Sequence, residues 1–223
     1  MKSSQKGFTL VEIAIVLVII GLLLGGVLKG QELINSAKVK NLATDFRNLP
    51  VFVYAYQDKY RKLPGDDDAA PARFTPALDA THKGNGNGAL SGLWNLTGGT
   101  DEPVLFWEHV RRSGIAAGPT DFSSATAIAA SLPTNAEGGR FGVGGTVPIT
   151  GMNGGSFYAC SDGIDGRFAT QLDLTMDDGK SNSGSMQAIA QGTGGTTQAI
   201  GGATATPAAA YAEGTRYTVC MTY

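Results

Sequence analysis

The residue whose placement asks most for a chemical explanation is Glu12, a carboxylate inside an apolar run that extends from position 8 to position 28. A carboxylate within a bilayer costs roughly 2.5–3.5 kcal/mol on insertion scales, so its presence there points to a function and calls for a cationic partner. The uncut chain offers no obvious one. A peptidase cut between Gly7 and Phe8 would create it, because the new α-amino group would lie at the same depth, four positions from Glu12. Pairing of that amine with Glu12, within one chain or between adjacent chains, would tie lateral assembly to prior cleavage.

The other reactive side chains form no catalytic constellation. Asp178-Gly179-Lys180-Ser181 is similar to the end of a phosphate-binding loop, yet the glycine required five residues before Gly179 is replaced by Leu174. The chain has no complete Gly-x-Ser-x-Gly elbow, no His-Glu-x-x-His and no Gly-x-Gly-x-x-Gly. Its two histidines are His82 and His109. Glu108 and His109 are adjacent and diverge on a helix, so they do not read as an acid–base pair. No enzyme activity is expected. Oxygen ligands for a hard cation occur at Asp66, Asp67 and Asp68, and at Asp162 and Asp165 around Gly163. Neither segment completes an EF-hand loop, so no metal or other cofactor is expected; the carboxylates read as solvated acidic turns, with calcium as the alternative.

Cys160 and Cys220 are the only cysteines, and they suit one disulfide if the distal half lies outside the cytoplasm. The alternatives are a reduced pair or a metal pair, but two histidines give little support to a four-ligand zinc site. A disulfide closing a loop of about 60 residues would contribute roughly 4 kcal/mol on the chain-entropy model.

The segment 8–28 would reach about 31 Å as a helix, enough to span a bilayer. Lys2 and Lys6 precede it, which places the leader in the cytoplasm and the bulk of the chain across the membrane. An ordinary secretory signal has a shorter apolar core of about 7–15 residues. A plain signal anchor accounts for everything except Glu12. Gly21, Gly25 and Gly30 add small positions at which helices can approach one another.

Lys6-Gly7-Phe8-Thr9-Leu10-Val11-Glu12, followed by the apolar run, resembles the prepilin processing motif of type IV pilins and type II secretion pseudopilins. The resemblance implies a membrane peptidase and methyltransferase that cuts after Gly7 and methylates Phe8. It also implies that Glu12, fifth in the mature chain, is the assembly glutamate. A second, looser resemblance to pilin-like heads covers roughly 60–118. It rests on Lys62-Leu63-Pro64-Gly65-Asp66, the Gly/Asn loop 84–88, Phe106-Trp107-Glu108-His109-Val110 and Gly114-Ile115.

These residues need elements to position them. Leu42, Phe46, Leu49, Val53, Tyr56 and Tyr60 fall at steps of four and three, which predicts a helix continuing to about Arg61 with this stripe packed on the head. Helical spacing reads as core packing rather than as a ligand path. Pro50 should kink this helix locally, and Leu63-Pro64-Gly65 should end it. Glu102–Arg112 reads as a short amphipathic helix whose Val104, Leu105, Trp107 and Val110 cover a sheet edge or the long helix. The strand candidates are 140–149, 156–159, 168–174 and 217–221. Segment 184–210, rich in Gly, Thr, Ala and Gln, reads as a long surface loop, either a mobile insertion or the recognition loop of a minor or tip subunit that acts in adhesion or substrate binding.

The expected architecture is therefore α+β: a long N-terminal helix, membrane-spanning in its first half and amphipathic in its second, packed on a small antiparallel sheet in a Gly-rich, disulfide-closed head. The expected divisions are a cleaved leader 1–7, a transmembrane and assembly helix 8–28, an amphipathic continuation 29–61 and a head 62–223. A formal net charge of −2 supplies no broad basic field, so proteins rather than nucleic acid are the expected partners. The resemblance names them as a prepilin peptidase, other pilin subunits and the pilus or secretion machinery. It implies a single-pass precursor in the bacterial inner membrane, then a surface filament or a periplasmic pseudopilus.

Overall fold

The computed structural model describes residue 7 and residues 9–74, 79–191 and 205–223. The chain divides into two compact units, Met1–Lys38 and Val39–Tyr223. Helix α1, Leu10–Tyr60, begins in the first and continues into the second. From Leu10 to Leu28 its side chains are exposed. Among the described residues α1 is the one helix long and apolar enough to cross a membrane.

In the second unit the four-and-three stripe is the buried face of α1. Leu42, Phe46, Leu49 and Tyr56 are fully buried, Val53 nearly so, and Tyr60 is half-buried against the ring of Phe74. The helix is continuous through Pro50. The carbonyl that Pro50 cannot serve, that of Phe46, accepts a hydrogen bond from the Tyr223 hydroxyl at 2.6 Å. The helix stops at Tyr60, before the breaker sequence, because Arg61 turns into the left-handed region at φ 58°.

Among the described residues, four more helices and one sheet belong to this unit. Helix α2 is Ala70–Arg73 and α3 is Glu102–Arg112, the latter with the bounds the sequence indicates. Helix α4, Ala125–Ser131, is capped by Ser124, whose hydroxyl accepts the Ala127 N–H; no sequence expectation covered it. Strands β1 (Phe141–Gly144), β2 (Tyr158–Asp165), β3 (Met186–Ala190) and β4 (Arg216–Thr222) form an antiparallel sheet in the order β1-β2-β4-β3. Helix α5, Gly166–Met176, follows β2 directly.

Four expectations are corrected here. The segment 168–174, expected as a strand, lies in α5. Its alternation of Phe168, Thr170, Leu172 and Leu174 mimics a strand, but Leu174 is 65% exposed while Phe168, Ala169 and Leu172 are buried, which is helical spacing. The deciding local signal is Asp165, which caps the helix by accepting the Arg167 N–H. Likewise, 184–210 is not wholly a loop, since β3 pairs with β4 from Met186↔Met221 to Ala190↔Tyr217. Part of that segment, 192–204, lies outside the described residues. Strand β1 is also shorter than 140–149, and β2 extends well past residue 159.

The sheet sorts its side chains by the two-residue period. Phe141, Val143, Ala159, Val219, Tyr217, Met186 and Ala188 join the main core with the buried stripe of α1. Tyr158, Cys160, Cys220 and Ile189 point into a smaller core around Trp94. Glycine is required on that side of β1: a Cβ on Gly142 would stand 2.3 Å from the carbonyl oxygen of Trp94. Helix α3 links the parts, with the Trp107 ring 6.5 Å from Phe52 of α1 and 6.0 Å from Phe141 of β1.

Candidate functional site

Glu12 sits in the first turn of α1, where Thr9 precedes the helix. The Thr9 backbone N–H donates to Glu12 Oε2 at 2.8 Å, and the Glu12 N–H donates to Thr9 Oγ1 at 3.3 Å. This is a reciprocal capping box that satisfies two otherwise orphaned donors at the helix start. The sequence carries the signal as Thr9-Leu10-Val11-Glu12, a Thr-x-x-Glu ahead of an apolar run, and the reading above missed it. Glu12 therefore has a local role before any partner arrives. Gly7 is exposed. Phe8, and with it the expected pairing of its amine with Glu12, lies outside the described residues.

The five aspartates singled out as calcium ligands turn to separate internal donors. Asp66 is buried and accepts the backbone N–H groups of Gly86, Asn87 and Gly88 at 2.7, 3.1 and 2.7 Å. Asp67, also buried, accepts the Tyr56 hydroxyl at 2.8 Å and the Ala69 N–H at 3.0 Å and meets Arg73 Nε at 2.7 Å. Asp68 pairs with Lys62 at 2.8 Å, and that ammonium holds its carboxyl below the usual range. Asp162 accepts the Arg140 N–H, while Asp165 caps α5. Solvated turns thus fit poorly for Asp66, Asp67 and Asp162, which are engaged in the fold. Among the described residues the one acidic triplet with ligand atoms within 4.8 Å of one another is Asp173, Asp177 and Asp178 at the end of α5. Its carboxylates likewise accept internal donors, including Tyr211, Met186 and Lys180.

The segments carrying the second resemblance interlock. The Gly65 N–H donates to His109 Nδ1 at 3.0 Å, and His109 Nε2 lies 3.3 Å from the His82 carbonyl. An Nδ1 that accepts must be unprotonated, and burial pushes the His109 imidazole down to about 4. Gly65, at φ 89°, has no room for a side chain: a Cβ would stand 2.6 Å from the Glu102 carbonyl oxygen. Glu102 accepts from Asn85 Nδ2 at 2.7 Å and from the Ser91 N–H at 2.6 Å. Glu108 lies 2.8 Å from His82 Nδ1 and 3.4 Å from Arg112 Nε, and burial raises its carboxyl. Glu108 and His109 both reach His82, the first at its ring and the second at its backbone carbonyl, without bonding each other. The Gly/Asn loop, the Leu-Pro-Gly-Asp turn and α3 are bound into one polar lock in which backbone donors surround buried acceptors.

Cys160 and Cys220 form a disulfide. They are directly opposed in the β2–β4 register with Cα atoms 4.1 Å apart. The bridge fixes the two central strands of the sheet and packs in the Trp94 core.

Comparison with known families matches residues 2–28 to the prokaryotic N-terminal methylation motif. This chain carries the type IV pilin and pseudopilin signature. The matched stretch contains Gly7, Phe8, the Thr9–Glu12 box and the exposed apolar part of α1. The signature implies processing by a prepilin peptidase and assembly with pilin or secretion machinery, and the proteins that bear it are structural rather than catalytic. Together with the apolar helix it fits a membrane-anchored precursor. Comparison with curated proteins and with solved structures gives no match.

Proposed function

We propose that the chain is a structural subunit of a type IV pilus-like filament, matured by cleavage between Gly7 and Phe8 and methylation of Phe8, and assembled through its N-terminal helix. The observation that carries this reading is the methylation motif at 2–28, set at the head of an α1 whose apolar side chains from Leu10 to Leu28 are exposed. In this reading Glu12 accepts the Phe8 amine of a neighbour within the apolar array, where neither charge has water to stabilise it. The Thr9–Glu12 box holds the carboxylate at the helix start. The disulfide-closed head stands outside the cytoplasm, and no cofactor takes part.

Mass spectrometry of the N-terminal peptide in membranes and in filaments sheared from cells tests the proposal. A peptide beginning at methylated Phe8 in the sheared filaments is the expected result. That peptide in membranes alone would move the assignment to a secretion pseudopilin, and an uncut Met1 peptide alone would leave a plain signal anchor.

A further inference from the structure

Pro50 is the proline inside α1, and proline has no N–H to give. The group it leaves unserved is the carbonyl four residues back, on Phe46, whose side chain is fully buried in the main core. A backbone carbonyl in such surroundings requires a donor from elsewhere in the fold. The Tyr223 hydroxyl supplies it, at 2.6 Å across a sequence separation of 177.

Tyr223, directly after β4, is itself held in place. Its N–H donates to the Phe157 carbonyl at 3.0 Å, its carbonyl accepts the Ser156 N–H at 2.6 Å, and its ring stacks on Phe157 with centroids 5.0 Å apart. Burial raises the phenol's pKa further, so the hydroxyl remains a protonated donor in neutral solution. The contact also has a definite stereochemical origin: of all the carbonyls in α1, Tyr223 serves the one whose helical donor position is occupied by Pro50.

We infer that Tyr223 and Pro50 form a clamp, in which the end of β4 supplies the hydrogen bond that the helix lacks, so that release of Tyr223 lets α1 open locally between residues 46 and 54. The helix is then continuous through its proline because the residue after β4 completes it.

Amide hydrogen–deuterium exchange on the full-length chain in detergent micelles, read on peptides covering 46–54 and 216–222, tests the clamp. Tyr223→Phe keeps the stacked ring and removes the hydroxyl; exchange in 46–54 should rise about fivefold, the effect of one net hydrogen bond, with 216–222 unchanged. Pro50→Ala restores the N–H and should slow exchange in 46–54, and in that background Tyr223→Phe should change nothing. No acceleration by Tyr223→Phe in the Pro50 chain would overturn the clamp. So would equal acceleration in both backgrounds, because the hydroxyl would then act independently of the proline, or equal acceleration in both peptides, because the effect would then be global.

Discussion

His109 shows how one buried side chain sets a condition on the whole head. Its Nδ1 must stay unprotonated to accept the Gly65 N–H, and burial lowers its pKa from the ordinary 6.5 to about 4. Between those values the unfolded chain binds the proton and the folded chain does not. Stability from this group is therefore complete above about 6.5 and is lost as pH falls toward 4, by up to about 3 kcal/mol. Glu108, whose pKa is raised by burial, works in the opposite sense, so the parent must be compared with a variant that changes His109 alone. His109→Asn keeps an acceptor for Gly65 and takes up no proton. Denaturant midpoints measured at pH 7, 5.5 and 4 should fall less steeply for this variant, and parallel slopes would remove His109 from the account. Asp66 illustrates the same economy of donors, since three successive N–H groups of the Gly/Asn loop converge on its carboxylate.

At the scale of elements, the sheet is held at its centre. Strands β2 and β4 are the inner pair, and Cys160–Cys220 joins them at directly opposed positions. Breaking this bridge with Cys160→Ser should cost the head roughly 4 kcal/mol, because it returns the freedom of a loop of about 60 residues to the unfolded chain. Limited proteolysis checks this: the variant should be cut faster than the parent under oxidising conditions and at the same rate once both are reduced. Equal resistance under oxidising conditions would show that the bridge adds nothing. The failed strand expectation at 168–174 also belongs to this scale. An alternating apolar run and an amphipathic helix are hard to tell apart over seven residues, and Asp165 at the helix start together with burial against the core decides the outcome.

At the scale of the whole molecule, α1 joins a segment with exposed apolar side chains to a unit that buries its own core, and the proposed assembly role follows from that division. Glu12→Gln separates the two roles of this residue, because glutamine can retain the capping box but cannot neutralise an amine. Leaving a buried charge without its partner costs about 3–5 kcal/mol. The variant should therefore insert into membranes normally and fail to enter sheared filaments, as immunoblots of the two fractions would show. Normal incorporation would refute the pairing. The processing motif, the apolar run, the buried stripe of α1 and helix α3 were all legible in the sequence, because each is specified by neighbours along the chain: a contiguous motif, hydropathy, or a period of 3.6. So was the pairing of the two cysteines, since no others compete. The donors that occupy Asp66 and Asp67, the contact of His109 with Gly65, the pairing of β3 with β4 and the bond from Tyr223 to Phe46 were decided only by tertiary structure. Each joins groups far apart in sequence, and no local pattern records which buried acceptor a distant donor will meet.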